Sequence, residues 1–223
     1  MFTAPDYDLA ATRAMEILRD NHITETPINP LPVLLDLDGV RVMPFTKMAE
    51  DAGRERHELI PMFGSNSDAA TFHLNMPGMD DVRYVVVYNM RLPFEIIWRG
   101  IARELGHIVL GHDGRARSSD VRMAEALCFA HHLLTPRPIL RIFQDAGMPL
   151  TLSEFAETTG CSSECVDDMR KIPGAHVPAE LNRQIKAQFS PHILEYINFH
   201  KSSPMSDKSP VIDVGTFMDG YEE

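Results

Sequence analysis

The N-terminal part of the chain has apolar residues that recur at the spacing of an α-helix. In Tyr7–Asp20 these residues are separated by charged ones, so that one face of a helix would be apolar and the other polar. The pattern predicts an amphipathic helix whose buried face consists of Leu9, Ala10, Ala14, Ile17 and Leu18. Two further helices are predicted over Pro93–His112 and Asp120–Leu134.

Shorter runs rich in β-branched and aromatic residues predict strands between these helices. Val82–Asn89 has the composition of a buried strand, and Ala70–Leu74 is a second candidate. A short strand over Val40–Val42 follows the turn at Pro27–Pro30. Strands that precede a helix and pack against other helices predict an α+β fold with a small sheet.

The C-terminal part is predicted to be helical. Leu150–Ile172 has helix-turn-helix spacing, with Gly160 in the turn. The second helix of this unit would present three acidic side chains, which oppose DNA binding, so we expect a structural or protein-docking module. A further helix over Glu180–Phe199 is expected to be interrupted at Ser190–Pro191.

From position 202 onward, two Ser-Pro steps, glycine and acidic residues predict a flexible acidic tail. Val211–Ile212 and Phe217–Met218 are apolar enough to dock onto the rest of the chain. We therefore divide the chain into a core (1–137), a helical module (138–201) and the tail (202–223).

Composition and charge narrow the classes of function. The 223 residues are 44% hydrophobic, no apolar run approaches the length of a membrane span, and the N-terminus lacks the pattern of a signal peptide. Three cysteines, a small and odd number, suggest a reducing compartment, so we expect a cytoplasmic protein. The net charge of −11 opposes non-specific binding to nucleic acid but permits a basic protein partner.

The segment Ile101–His112 carries the candidate chemistry. It reads I-A-R-E-L-G-H-I-V-L-G-H, which is the zinc-protease helix motif H-E-x-x-H with Arg103 in place of the first histidine. Two histidines four residues apart can bind one Zn²⁺ from one helix face, and the glutamate accepts the proton of the metal-bound water. Arginine stays protonated and offers a cation no lone pair, so this exchange puts metal binding in question.

Two other segments extend the match. The strand Tyr84–Asn89 precedes the motif, and Glu125–Pro136 follows it with the sequence E-A-L-C-F-A-H-H-L-L-T-P. With the motif helix, these segments resemble the ImmA/IrrE family of metallo-endopeptidases over roughly residues 7–136. The resemblance implies a zincin-like core, followed by a helical module.

The resemblance implies roles for the individual residues that match the family's motifs by position. Glu104 matches the general base, His107 the second zinc ligand and Glu125 the third, while Arg103 departs from the pattern at the first. Any cofactor would be zinc. Because a guanidinium pairs well with a carboxylate, we expect Arg103 to take over the electrostatic role of the metal by pairing with Glu125, and also with Glu104.

Two hypotheses of function follow, and whether the chain is an enzyme stays open between them. In the first, it is a pseudo-protease that binds a protein partner such as a helix-turn-helix repressor of a mobile element or stress response, as the resemblance implies. In the second, it is an active endopeptidase with an altered ligand set of His107, Glu125, a water and Cys128. His112 is expected to stay away from His107, since five residues rotate it by about 140° around a helix.

Overall fold

The computed structural model describes residues 4–59, 68–74, 82–112, 118–148, 150–202 and 211–212. In chain order, its helices and strands are α1 (Tyr7–Asp20), α2 (Leu31–Leu35), β1 (Val40–Pro44), α3 (Phe45–Asp51), α4 (Arg56–Leu59), β2 (Ala69–His73), β3 (Tyr84–Tyr88), α5 (Phe94–Val109), α6 (Ser119–Leu134), α7 (Arg137–Asp145), β4 (Leu150–Thr151), α8 (Leu152–Thr159), α9 (Ser163–Met169), α10 (Ala179–Ser202) and β5 (Val211–Ile212). The predicted α+β class is confirmed.

A mixed three-stranded sheet supports the motif helix, and β3 is its central strand. β1 pairs with β3 in parallel, from Val40 opposite Tyr84 onward, and β2 pairs with it in antiparallel orientation. The first residues of β2 lie close to α5 because Gly100 has no side chain: a Cβ there would stand 2.9 Å from Asp68 Oδ2 and 3.1 Å from Ala69 Cβ. The close approach places Asp68 next to the motif helix.

Helices α1, α5 and α6 form the central part of the hydrophobic core. A Cβ on Gly106 of α5 would lie 3.0 Å from Phe129 Cδ1 of α6, so the glycine permits these two helices to pack closely. The bounds predicted for α1 are confirmed, but its predicted buried face is partly wrong. Ala11 and Met15 are fully buried beside Ala14 and Leu18, whereas Leu9 is 39% exposed and so lies outside the buried face.

The helix-turn-helix spacing is confirmed in α8 and α9. Gly160 lies between them in the left-handed conformation, with φ of +68°, which glycine adopts without strain. The interruption expected in the last helix is wrong, because α10 continues through Pro191. The packing of α10 on α1 and α7 outweighs the free energy that a proline costs inside a helix. The buried apolar residues of α10 lie on both sides of the proline, and they are Leu181, Ile185, Phe189, Ile193 and Ile197.

The hydrophobic core continues across the proposed boundary at residue 137, since residues of α1 and of α10 belong to the same buried cluster. The division into a core and a helical module stays a prediction. Val211 and Ile212 pair with Thr151 and Leu150 as β5 and β4, so this apolar part of the tail does dock. The remaining tail residues, including Phe217–Met218, lie outside the described part of the chain.

Candidate functional site

Arg103 lies buried on α5, and its guanidinium is held by two carboxylates. Its Nε and one terminal nitrogen donate to Glu104 Oε1 at 2.9 and 2.7 Å, and its other terminal nitrogen donates to Asp68 Oδ2 at 3.0 Å. A further hydrogen bond of 2.9 Å goes to the backbone oxygen of Ala69. The side chains of Arg103 and Glu104 are only 6% and 5% exposed, so this is a buried ion pair.

The charges of this cluster keep the arginine protonated. Burial acts to lower the pKa of Arg103, but the negative charges of Glu104 and Asp68 outweigh it, and the pKa is raised. The expected pairing with Glu104 is confirmed, while the expected pairing with Glu125 is wrong: no hydrogen bond joins Arg103 to Glu125 within the described residues. The reason lies in the sheet, because Gly100 lets the start of β2 bring Asp68 beside Arg103.

His107 contacts His112, contrary to the expectation that the two rings would point apart. Their Nδ1 atoms are 2.9 Å apart. Helix α5 ends at Val109, and Gly111 with φ of +65° reverses the chain, so that the backbone N–H of His112 donates to the backbone oxygen of His107 at 2.9 Å. This helix-ending turn returns His112 to the last helical turn, whereas the expectation assumed a helix that continued through it.

Glu125 completes a chain of hydrogen bonds that begins at His107. Its Oε2 lies 3.0 Å from His112 Nε2, and its Oε1 accepts from the backbone N–H of Asp6 at 2.7 Å. Because a carboxylate accepts hydrogen bonds, His112 donates through Nε2, which leaves its Nδ1 to accept from Nδ1 of a neutral His107. Glu125 is fully buried, so this network links α5, α6 and the start of α1 deep in the core.

The His107 ring is held in its neutral form. Burial lowers the pKa of His107 to about 4, and the nearby positive charge of Arg103 acts in the same direction. With Nδ1 engaged by His112, the free lone pair of His107 is at Nε2. A cavity of about 310 Å³ lies against His107, Glu104 and His112, and residues of β2 and α6 complete its wall.

Cys128 lies one turn beyond Glu125 on α6 and is fully buried. Its Sγ is 3.6 Å from the backbone oxygen of Tyr7 and 3.6 Å from His132 Nδ1. Burial raises the pKa of the Cys128 thiol to about 12, which disfavours the thiolate that binds metals. The other two cysteines, Cys161 and Cys165, are buried free thiols.

These contacts test whether the site suits a zinc ion. The position of the first ligand carries a cation, and the groups of His107 and Glu125 are joined through His112 rather than directed at one point. Across the described part of the chain, no three His, Cys, Asp or Glu side chains gather closely enough to hold a metal ion. The arrangement therefore does not fit zinc unless these side chains move.

Comparison with known proteins assigns the fold to a family. The α+β architecture is that of a zincin-like core with a helical C-terminal part, and the family model described as the IrrE N-terminal-like domain matches residues 39–169. The chain therefore belongs to this ImmA/IrrE-type protease family. Neither the curated proteins nor the solved structures yielded a match to the chain. None of the helices in the described segments combines the length and apolar character that a membrane span needs.

Sequence reasoning missed two residues of this network, Asp68 and Asp6. Asp68 lies 35 positions before Arg103, and no spacing rule connects a strand start with a helix so far along the chain. Asp6 contributes its backbone N–H to Glu125 and its side chain to the backbone N–H of Leu9, as the N-cap of α1. For His112 a signal was present, because the glycine before it is typical of a helix end.

Proposed function

We propose that the chain is a pseudo-protease, a zincin-fold protein in which a buried ion pair occupies the place of the metal and which acts by binding a protein partner. The observation that carries the proposal is the guanidinium of Arg103, shared between Glu104 and Asp68. A permanent cation at the first ligand position repels a metal ion, and here it is matched by two carboxylates that keep it in place.

The state of Glu104 supports the same conclusion. A general base of this class must accept a proton from a metal-bound water, whereas Glu104 Oε1 accepts two hydrogen bonds from Arg103. Nearby, His107 is engaged by His112, and Glu125 by His112 and Asp6. The side chains inherited from the protease site thus serve to hold helices together, and the proposed activity is binding without hydrolysis.

The proposed partner is a basic protein, and a helix-turn-helix repressor of a mobile element or stress response is the form that the family suggests. The net charge of −11 favours such a partner over nucleic acid. The cavity of about 310 Å³ beside β2 and α5 offers a concave surface at the former catalytic position. We propose a cytoplasmic location, in which the three cysteines stay reduced.

A second candidate is an active endopeptidase with altered ligands, and the contact between His107 and His112 favours it. These two rings and Glu125 form a continuous chain, so modest rotations of the side chains would give a three-residue ligand set without Arg103. In this version Cys128, whose thiolate is disfavoured, is not needed. The two candidates differ in whether the unaltered protein takes up zinc.

Metal analysis of the purified protein and of Arg103→His separates the candidates. We expect the unaltered protein to carry no stoichiometric zinc and Arg103→His to gain it, because the substitution restores a lone pair and removes the cation. Arg99→His is the matched control, since Arg99 is one turn earlier on α5 and also pairs with an aspartate, Asp168, at 2.8 Å. Stoichiometric zinc in the unaltered protein that is lost in Glu125→Ala would favour the active endopeptidase.

Partner binding is tested by copurification with the tagged chain from its own host, and a helix-turn-helix repressor captured in this way is then purified and mixed with the chain. We expect a complex in which the repressor stays intact, because Glu104 is held by Arg103 and does not act as a base. Cleavage of the repressor that Glu104→Gln abolishes would overturn the pseudo-protease proposal.

A further inference from the structure

A second cavity, of about 230 Å³, lies at the far end of α6, away from Glu125. It is formed by the last turn of α6, the first residue of α7 and the segment that follows α9. The polar and charged residues that line it are His131, His132, Thr135, Arg137, Arg170 and Lys171. Among its apolar lining residues are Met169 and Ile172, so the cavity offers both apolar and polar contacts.

Two buried histidines are among the residues that line this cavity, and a ring nitrogen of each has no partner within the described residues. His131 and His132 are 4% and 6% exposed, and within the described residues neither Nε2 atom makes a hydrogen bond. A buried polar atom without a partner is unfavourable, and most such atoms in native proteins are satisfied by water or a ligand. Both nitrogens therefore suit a group that occupies the cavity.

The contacts of His132 define what that group must offer. His132 Nδ1 lies 3.0 Å from the backbone oxygen of Cys128, so this nitrogen carries the proton and donates it. The neutral ring then has its lone pair at Nε2, which calls for a hydrogen-bond donor such as a hydroxyl. His131 Nδ1 is 3.8 Å from Cys165 Sγ, and its Nε2 donates or accepts according to the tautomer.

The charged residues of the wall define a second requirement. Arg137, Arg170 and Lys171 line the cavity, and its described lining includes no acidic residue. Asp167 and Asp168 pair with Arg170 and Lys171 but are not part of the wall. The wall of the cavity itself therefore presents cationic groups and no carboxylate, which favours an anion.

We propose that this cavity binds a small organic anion that carries hydroxyl groups, with its anionic group toward Arg137 and Lys171 and a hydroxyl donating to His132 Nε2. A phosphate ester and a hydroxylated carboxylate share this chemistry. The cavity is independent of the site around Arg103, so the proposal stands whether or not the chain hydrolyses peptides.

Titration calorimetry on the full chain tests the proposal with four probes. Ribose 5-phosphate and gluconate carry both an anion and hydroxyl groups, ribose carries only hydroxyl groups, and inorganic phosphate carries only the anion. We expect at least one of the first two to bind at least about tenfold more tightly than ribose and inorganic phosphate. Tighter binding of ribose 5-phosphate would identify a phosphate ester, and tighter binding of gluconate a carboxylate.

The location is tested by Lys171→Glu, with Lys47→Glu as its matched control. Lys47 also forms an exposed pair with an aspartate, Asp51, but lies on α3, away from the cavity. We expect Lys171→Glu to weaken the tighter probe by about tenfold or more and Lys47→Glu to leave its affinity unchanged. Because Lys171 is largely exposed, the substitution is not expected to prevent folding.

Histidine ring spectra give a readout that needs no substitution in the core. Long-range ¹H–¹⁵N spectra of the full chain should show a shift of the His132 Nε2 resonance when the tighter probe is added, and no shift with ribose at the same concentration. The proposal is overturned if neither organic anion binds at millimolar concentrations, or if inorganic phosphate binds as tightly as both. It is also overturned if Lys47→Glu weakens binding as much as Lys171→Glu, or if the Nε2 resonance of His132 does not move.

Discussion

Helix α6 carries buried polar side chains at both of its ends, and the two ends differ in how those side chains are satisfied. Near the first end, Glu125 accepts from Asp6 and pairs with His112, which in turn contacts His107. Near the second end, His131 and His132 leave their Nε2 atoms without a partner in the described part of the chain, facing a cavity. Glu125, His131 and His132 are all buried.

We infer from this difference that the side chains at the first end stabilise the fold and that those at the second end bind a ligand. Where every donor meets an acceptor inside the protein, removing one member leaves its partners unsatisfied, so the cost appears as lost stability. Where ring nitrogens and cations face a cavity, removing one member changes what can bind there. We call the network around Glu125 the closed one, although His107 lines a cavity of its own, and the end at His131 and His132 the open one.

The largest effect is expected at Arg103, whose buried ion pair lies on α5 beside the closed network. In Arg103→Met, Glu104 and Asp68 lose their cation, and leaving buried carboxylates unpaired should cost about 3–5 kcal/mol in the free energy of unfolding. Urea denaturation measures it. Arg13→Met is the control, since Arg13 pairs with Glu16 at the surface, where such pairs contribute about 0–1 kcal/mol. Equal effects of the two substitutions would contradict a stabilising ion pair at Arg103.

Glu125→Gln should give the next largest effect. The two oxygens of Glu125 accept from Asp6 and His112, but an amide has only one oxygen, so one donor is left facing an N–H group. We expect a loss of about 2 kcal/mol, by the same urea measurement. Glu180→Gln, in an exposed pair with Arg183, is expected to change the free energy of unfolding by less than about 1 kcal/mol. A loss in Glu125→Gln no larger than this would show that the network is looser than its distances indicate.

Lowering the pH should reduce the free energy of unfolding through a buried histidine near each end of α6. Burial is the main cause that lowers the pKa of His107 and that of His132 to about 4, below the usual value of 6.5. Both rings are neutral in the folded protein, whereas the unfolded chain takes up protons as the pH falls below its pKa. Stability is therefore complete above pH 6.5 and declines from there toward pH 4, by about 1 kcal/mol per histidine over the first pH unit.

The check is the midpoint of urea denaturation measured from neutral pH to pH 5. The loss of unfolding free energy on acidification should be smaller in His107→Gln by the contribution of one histidine. It should be unchanged in His57→Gln, since the His57 side chain is 76% exposed. A decline of the same steepness in His107→Gln and the unaltered protein would show that His107 is protonated in the folded state.

The smallest effect on stability is expected at the open end. Lys171→Ala removes a cation whose side chain is 74% exposed and paired with Asp168, so the free energy of unfolding should change by less than about 1 kcal/mol. Lys47→Ala is the control, since the Lys47 side chain is also exposed and paired with an aspartate, Asp51. A loss as large as that in Glu125→Gln would mean that the cations of the second cavity support the fold, and the contrast between the two ends would disappear.

Elements with strong local patterns were predicted well from the sequence. The bounds of α1 agree with the prediction, and Gly160 ends α8 as its position indicated. The last helix was predicted to break at Pro191 because the local cost of proline is visible in sequence, while the burial of α10 against α1 and α7 is not. Predictions failed where packing between distant segments outweighed a local preference.

The candidate site shows the same limit. The motif and its spacing identified Arg103, Glu104, His107 and Glu125 as residues of interest, and the pairing of Arg103 with Glu104 followed from their chemistry. The pairing expected with Glu125 failed because it was inferred from the positions of metal ligands in the family. The roles of Glu104, His107 and Glu125 in catalysis and zinc binding stay predictions, which the metal analysis proposed above tests.

The sequence by itself determined the family, the order of most elements and the identity of the side chains in the motif, because motifs and periodicity are local properties of the chain. Only the tertiary structure decided that Arg103 pairs with Asp68 and that His131 and His132 line a cavity. Each of these depends on how closely two distant segments approach. That distance is set by the packing of whole elements, such as β2 on Gly100, which no local pattern records.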